Sequence, residues 1–273
     1  WGVNVQILSG SPANISVYGA LLEPGDTFMA MGLSFGGHLS HGHKVSFSGR
    51  FWKSVHYGVD PETGRLDYEA IRKLALEQRP KLIVSGFTAY PYKVDFAAIG
   101  AIAREISAYH LADISHIAGL IAARVHPSPF AHADIVVSTT HKTLRGPRGA
   151  VIFSKLDERG ITEKIDKAVF PGFQGGPHNN VTAAKAQAFF EALQPSFKKY
   201  QEQIVKNAAR LAEELISRGF KLLGEGTETH LMLLDVRPFG LDGRGAEEIL
   251  EASGITANRN SLPGDEKPLR PSG

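Results

Sequence analysis

The sequence predicts an α/β fold, a mostly parallel sheet with helices on both faces, and three observations carry that expectation. Short apolar runs alternate with helix-patterned stretches through most of the chain. Several runs, Ile135-Val136-Val137 most plainly, are apolar without alternation, as expected of strands buried on both faces. Helical stretches separate consecutive runs where hairpin turns would otherwise stand, which favours parallel crossover connections.

In chain order, Val3–Leu8 reads as the first strand, and Ser9-Gly10-Ser11-Pro12-Ala13-Asn14 as the turn into a helix over 12–22. Thr27–Met31 is the next strand, followed by a glycine- and histidine-rich loop. A helix over 67–78 precedes strand Lys81–Val84. Phe96, Ile99, Ile102, Ala103 and Ile106 then recur at helical spacing behind Asp95, a suitable N-cap. Tyr109–Ala112, Ile135–Ser138 and Ala150–Phe153 read as strands, and 179–193 as a helix. Composition changes near Pro195. Tyr200, Ile204, Ala208, Leu211 and Leu215 form an amphipathic stripe ending at Gly219. Two β runs, Phe220–Leu223 and Leu231–Val236, and a helix near 245–253 follow. The expected organisation is a large domain over 1–194 and part of a smaller α/β domain over 195–273.

The bulk properties narrow the function. A chain of 273 residues can bury roughly three quarters of its unfolded surface. A net charge of +2 gives no electrostatic case for nucleic acid or a membrane surface. The absence of cysteine excludes a disulfide framework and a thiolate metal site, and fits a reducing, cytoplasmic setting. No apolar stretch approaches the ~18 residues of a membrane span, and no signal peptide is visible.

The chemistry centres on Val136-Val137-Ser138-Thr139-Thr140-His141-Lys142-Thr143-Leu144-Arg145-Gly146-Pro147-Arg148-Gly149. A lysine at the rim of a buried strand is costly unless its charge is removed or used. Schiff-base formation with a cofactor aldehyde does both, and nearby Arg145 and Arg148 should lower its pKa. The competing reading is a surface lysine in a basic turn. Asp113 follows an apolar run, so it stands at the sheet edge where ligands bind in open α/β folds. It is read either as a partner for a protonated ring nitrogen or as an N-cap for 114–121. The Ser9–Asn14 turn suits phosphate at a helix N-terminus, or simple chain punctuation. Among His38, His41 and His43 the residues alone do not choose.

Taken together, these segments resemble serine hydroxymethyltransferase, a fold-type-I pyridoxal-phosphate enzyme. T-T-H-K-T-L-R-G-P-R-G (139–149) is similar to that family's cofactor-lysine segment. S-G-S-P-A-N (9–14), G-G-H-L-S-H-G (36–42), Y-G-V-D-P-E-T-G (57–64), H-I-A-G-L (116–120), F-P-G-F-Q-G-G-P-H (170–178) and L-R-P-S-G (269–273) follow the family in order and approximate spacing. The similarity spans essentially the whole chain.

The resemblance implies pyridoxal 5'-phosphate as cofactor and tetrahydrofolate as co-substrate in the interconversion of serine and glycine. It implies catalytic roles for Lys142, His38, Asp113 and His141. Gly10 and Ser11 correspond to phosphate contacts, His38 to the histidine stacked on the pyridine ring, and His116 to a neighbour of the phenolic oxygen. Thr88 and Thr139 correspond to hydroxyl residues lining the site, and Arg148 to a cation near the lysine. Gly175 and Gly176 correspond to a pair reaching the phosphate in the neighbouring subunit, so a homodimer or homotetramer is implied. For folate, the matching residues are Leu33, Gly36, Gly37 and Asn260. Rival readings are a folate-independent aldolase of the same fold and a non-catalytic binding protein. The chain begins at Trp1 and ends at Gly273 inside a motif, so a longer parent protein is expected. The family's substrate-carboxylate arginine lies two residues beyond P-S-G, and Arg270 is not given that role.

Overall fold

The computed structural model describes residues 1–265 and 271–273. Its elements run β1 (Gly2–Asn4), α1 (Gly10–Leu21), β2 (Thr27–Met31), α2 (Phe47–Phe51), β3 (Lys53–Tyr57), α3 (Tyr68–Gln78), β4 (Leu82–Gly86), α4 (Phe96–Glu105) and β5 (Tyr109–Asp113). There follow α5 (Ala118–Ala122), β6 (Ile135–Thr139), β7 (Ala150–Ser154), α6 (Ile161–Lys167), α7 (Asn179–Ala192) and α8 (Pro195–Ser217). A short pair, β8 (Lys221–Leu222) and β9 (Leu234–Asp235), and α9 (Gly243–Ala252) complete the described chain.

Among the described residues, seven strands form one sheet in the order β1-β7-β6-β5-β4-β2-β3. The pairings from β6 through β3 are parallel, while β7 runs antiparallel to both β6 and β1. This is the mostly parallel α/β sheet that the apolar runs predict. Every residue of β4 and β6 is buried, and their side chains divide alternately between two cores. On one face Ile83, Val136 and Ala112 join Met29, Met31, Ile99 and Ile102. On the other, Leu82, Val84, Leu111, Ile135 and Val137 pack against Val17, Tyr18, Ile161 and Ile165.

Local signals set the helix ends. Asp95 caps α4 by accepting from Ala98 N–H, and Asp67 caps α3 by accepting from Glu69 and Ala70 N–H. Pro195 opens α8, where its missing N–H costs nothing.

Several expectations need correction. The first strand stops at Asn4 instead of Leu8, because the Asn4 side chain accepts from Gln6 N–H and turns the chain there. The carbonyls of Val5 and Ile7 then go to a side chain, Lys185. The first helix begins at Gly10, two residues earlier than expected. The two β runs after α8 shrink to two-residue strands, since 223–233 instead docks on Pro91 and Tyr92. Strand β3, at the sheet's edge, has too mixed a pattern (Lys-Ser-Val-His-Tyr) to be read as buried.

Candidate active site

Strands β4, β5 and β6 are parallel, so Gly86, Asp113 and Thr139 finish at one edge of the sheet. Helix α1 begins at that edge: a Cβ on Gly10 would meet Thr139 Cγ2 at 2.7 Å. The loops leaving these strand ends carry Thr88, His116, His141, Lys142 and Arg148. Together with Gly10, Ser11, His38, Asp113 and Thr139 they line one cleft of about 500 Å³, the size of a small-molecule site. Ten residues assigned from sequence thus converge on one place.

Lys142 is half-buried, and its Nζ donates to Thr139 Oγ1 at 3.3 Å. Burial pushes its pKa down; Asp113 opposes and Arg148 assists. Arg145 does not take the part expected of it. It adopts a left-handed backbone (φ 62°), and its guanidinium stacks 4.7 Å over the Tyr200 ring. Gly146 is required sterically, since a Cβ would strike the backbone Thr140 O at 2.7 Å, and a Cβ at Gly149 would displace Lys185 Cε, 2.4 Å away.

Asp113 is the last residue of β5, and it does not cap the helix after it, which begins only at Ala118. Its Oδ2 accepts from Asn14 Nδ2 (2.8 Å) and pairs with His41 Nε2 (3.1 Å). Its Oδ1 accepts from Ser115 Oγ (2.5 Å) and Ser115 N–H (3.1 Å). Burial alone would raise this carboxyl, but the bonds from His41, Asn14 and Ser115 prevail and hold it well below the usual carboxylate range. Gly86 makes the room: a Cβ there would lie 2.7 Å from Asp113 Cβ and 2.8 Å from His41 Cε1.

These three supports are what the sequence reading missed. Asn14 stands one helical turn after Gly10 and so shares its face, a signal that was available. His41 is one of three candidate histidines that the sequence cannot tell apart, because which one turns inward depends on the loop's path, and Ser115 carries no signal. His38 also lines the cleft, with Nδ1 accepting from Ser40 N–H at 3.1 Å, which leaves its proton on Nε2 when neutral. His230, on the loop between β8 and β9, lies behind the cleft's lining and stacks on His116, with centroids 6.4 Å apart. No spacing in the chain announces it.

Leu33, Gly36, Gly37 and Asn260 line a second cleft with Arg259 and Pro271, and His38 and Thr88 belong to both clefts. Gly36 and Gly37 also serve the fold. A Cβ at either would run into a backbone carbonyl, Ala89 O at 2.3 Å or Met31 O at 2.1 Å. Gly175 and Gly176 are exposed and enter neither cleft of their own chain. Of the 269–273 motif, Leu269 and Arg270 lie outside the described residues.

The chain matches the family model for serine hydroxymethyltransferase over residues 1–273, its whole length. It belongs to the serine hydroxymethyltransferase family. Members of this family generally use pyridoxal phosphate and act on small molecules in one-carbon metabolism. The residues present fit that group. The first turn of α1 leaves the Gly10 and Ser11 N–H groups without intrahelical acceptors, and Ser9 makes no side-chain cap bond. Thr88 Oγ1 and His141 Nδ1 are buried beside the cleft with no hydrogen-bond partner among the described residues. Among the described residues no helix is long and apolar enough to cross a membrane.

The buried histidines make stability pH-dependent. Burial, the largest cause at each, lowers His38, His110 and His230 to about 4 and His116 to about 3. Unfolded, each would take a proton below about 6.5. Between about 6.5 and 4 the unfolded chain therefore binds more protons, so stability rises with pH across that window and falls on acidification. His110 alone, 1% exposed, is worth roughly 3 kcal/mol over the window. Urea midpoints measured from pH 7.5 to 4.5 should fall steadily below pH 6.5, and a flat profile would contradict the assignment.

Proposed function

We propose that the protein catalyses the reversible conversion of L-serine and tetrahydrofolate to glycine and 5,10-methylenetetrahydrofolate, with pyridoxal phosphate held at Lys142. The observation that carries this reading is the meeting of two clefts at His38 and Thr88. One offers an amine, an ionised carboxylate and a helix N-terminus; the other is lined by Leu33, Gly36, Gly37 and Asn260. A folate-independent aldolase would have no use for the second.

Bound in the first cleft, pyridoxal phosphate would supply an electron sink for the bond broken at the amino acid's α-carbon. Asp113, kept ionised by its three supports, would hold a proton on the ring nitrogen. Lys142, its pKa lowered by burial, would present a neutral amine to the cofactor's aldehyde carbon. The N–H groups of Gly10 and Ser11, the Ser11 hydroxyl and Arg148 would hold the phosphate. His38 and His116, both uncharged near neutrality, would line the ring without competing for its charge. His141 and Thr139 flank the amine. Exposed Phe47, Phe51, Phe170 and Phe173, beside the exposed Gly175-Gly176 segment, support a homo-oligomer in which that segment reaches a neighbour's site.

Serine cleavage assayed with and without tetrahydrofolate tests the reading. Cleavage should accelerate at least about tenfold with folate present. An equal rate in its absence would return the protein to the aldolase class.

A further inference from the structure

Lys185, on α7, is 2% exposed, yet none of the chemistry above uses it. Its Nζ donates to Val5 O (2.6 Å), Ile7 O (3.1 Å) and Ala150 O (2.9 Å). All three donor positions of the ammonium are thereby filled by backbone carbonyls. Among the described residues it has no carboxylate partner, and burial pushes its pKa down; three carbonyl acceptors nevertheless match the three hydrogens that only the ammonium carries, so the geometry selects the charged form. Such a charge is expensive to bury and is kept only where something compensates.

What it touches is informative. Val5 and Ile7 belong to the segment that leaves the sheet at Asn4 and delivers Ser9, Gly10 and Ser11 to the cleft. Ala150 follows Arg148 and Gly149, and Gly149 O accepts from Thr140 N–H at 3.0 Å. One ammonium therefore ties together the two backbone segments on either side of the anion-binding end of the cleft. The stem of the same side chain occupies the space that any Cβ at Gly149 would need.

We propose that Lys185 is the positioning residue of the phosphate cradle. Its three carbonyl bonds fix the Ser9–Ser11 turn relative to Arg148, and its unpaired charge raises the positive potential there. It thus sets how strongly the chain prefers phosphorylated over unphosphorylated pyridoxal. This rests on the cofactor reading above. A purely structural lysine would affect both ligands alike.

The test compares dissociation constants for pyridoxal phosphate and pyridoxal in the wild-type chain, Lys185→Met and Lys185→Gln. Methionine keeps an unbranched stem one atom shorter but loses charge and donors; glutamine keeps a donor, which protects the fold if methionine does not. The preference for the phosphorylated ligand should fall about tenfold or more in whichever variants fold by circular dichroism, with pyridoxal affinity changed less than about twofold. Inorganic phosphate should correspondingly raise the wild-type apo melting temperature more than the variant's. An unchanged preference, or equal losses for both ligands, overturns the proposal while leaving the cofactor reading intact. If the wild-type chain binds neither aldehyde, the cofactor reading itself falls and this one with it. Failure of both variants to fold would make Lys185 a stability residue and overturn the role proposed here.

Discussion

Replacing Lys142 with alanine is expected to remove serine–glycine turnover almost entirely, by about 10³-fold or more. The amine sits 3.3 Å from Thr139 Oγ1 at the edge where three strands end, with Asp113 across the cleft. Burial and Arg148 bias it toward the neutral, nucleophilic form, which no other side chain lining the cleft can supply. Lys142→Arg should be as inactive, because a guanidinium stays protonated and cannot act as a nucleophile. Cofactor binding should survive in part, since Asp113 and the α1 N-terminus are untouched. Borohydride reduction and peptide mapping give a readout independent of rate: a pyridoxyl label on the 138–149 peptide of the wild type, and none in either variant. Turnover within tenfold of wild type in Lys142→Ala would refute the assignment.

The sequence made this lysine legible because local chemistry and strand pattern agreed. An unbroken apolar run fixes β6 as a central strand, so the polar residues after it must emerge at an edge. The same logic placed Asp113 after β5 and the Ser9–Ser11 turn before α1. Where the reading failed, long-range geometry decided. Arg145 is as close to Lys142 in sequence as many true neighbours, but a left-handed backbone turns it toward Tyr200 on α8. The pattern extends the first strand too far because Val5 and Ile7 look like strand residues. Their carbonyls are taken by a lysine about 180 positions away, which no local pattern can reveal. Strand β3 lacked a buried-strand pattern because an edge strand need not have one. His41 was visible but could not be separated from His38 and His43, and only the folded loop directs it onto Asp113.

The second large effect is expected from Asp113→Asn, and its size follows from the hydrogen bonds, not from the lost charge alone. The carboxylate receives donors on both oxygens: Asn14 and His41 at Oδ2, and the Ser115 hydroxyl and N–H at Oδ1. An asparagine has one acceptor oxygen, so its NH₂ must face donors on one side or the other. A buried mismatch of this kind costs about 1–3 kcal/mol, in addition to losing the anion that would hold a proton on the ring nitrogen. Turnover should fall about 10³-fold, with weaker cofactor affinity and a lower melting temperature. Ser115→Ala separates the two contributions. It keeps the charge and the Ser115 backbone donor but removes the hydroxyl, so the carboxyl should titrate higher and turnover should fall only several-fold. If Asp113→Asn lowers the melting temperature but leaves kcat unchanged, Asp113 organises the cleft without acting on the ring. If kcat collapses in Asp113→Asn and declines mildly in Ser115→Ala, the rate follows how firmly the carboxylate is held ionised. The three residues that donate to Asp113 would then tune catalysis through it.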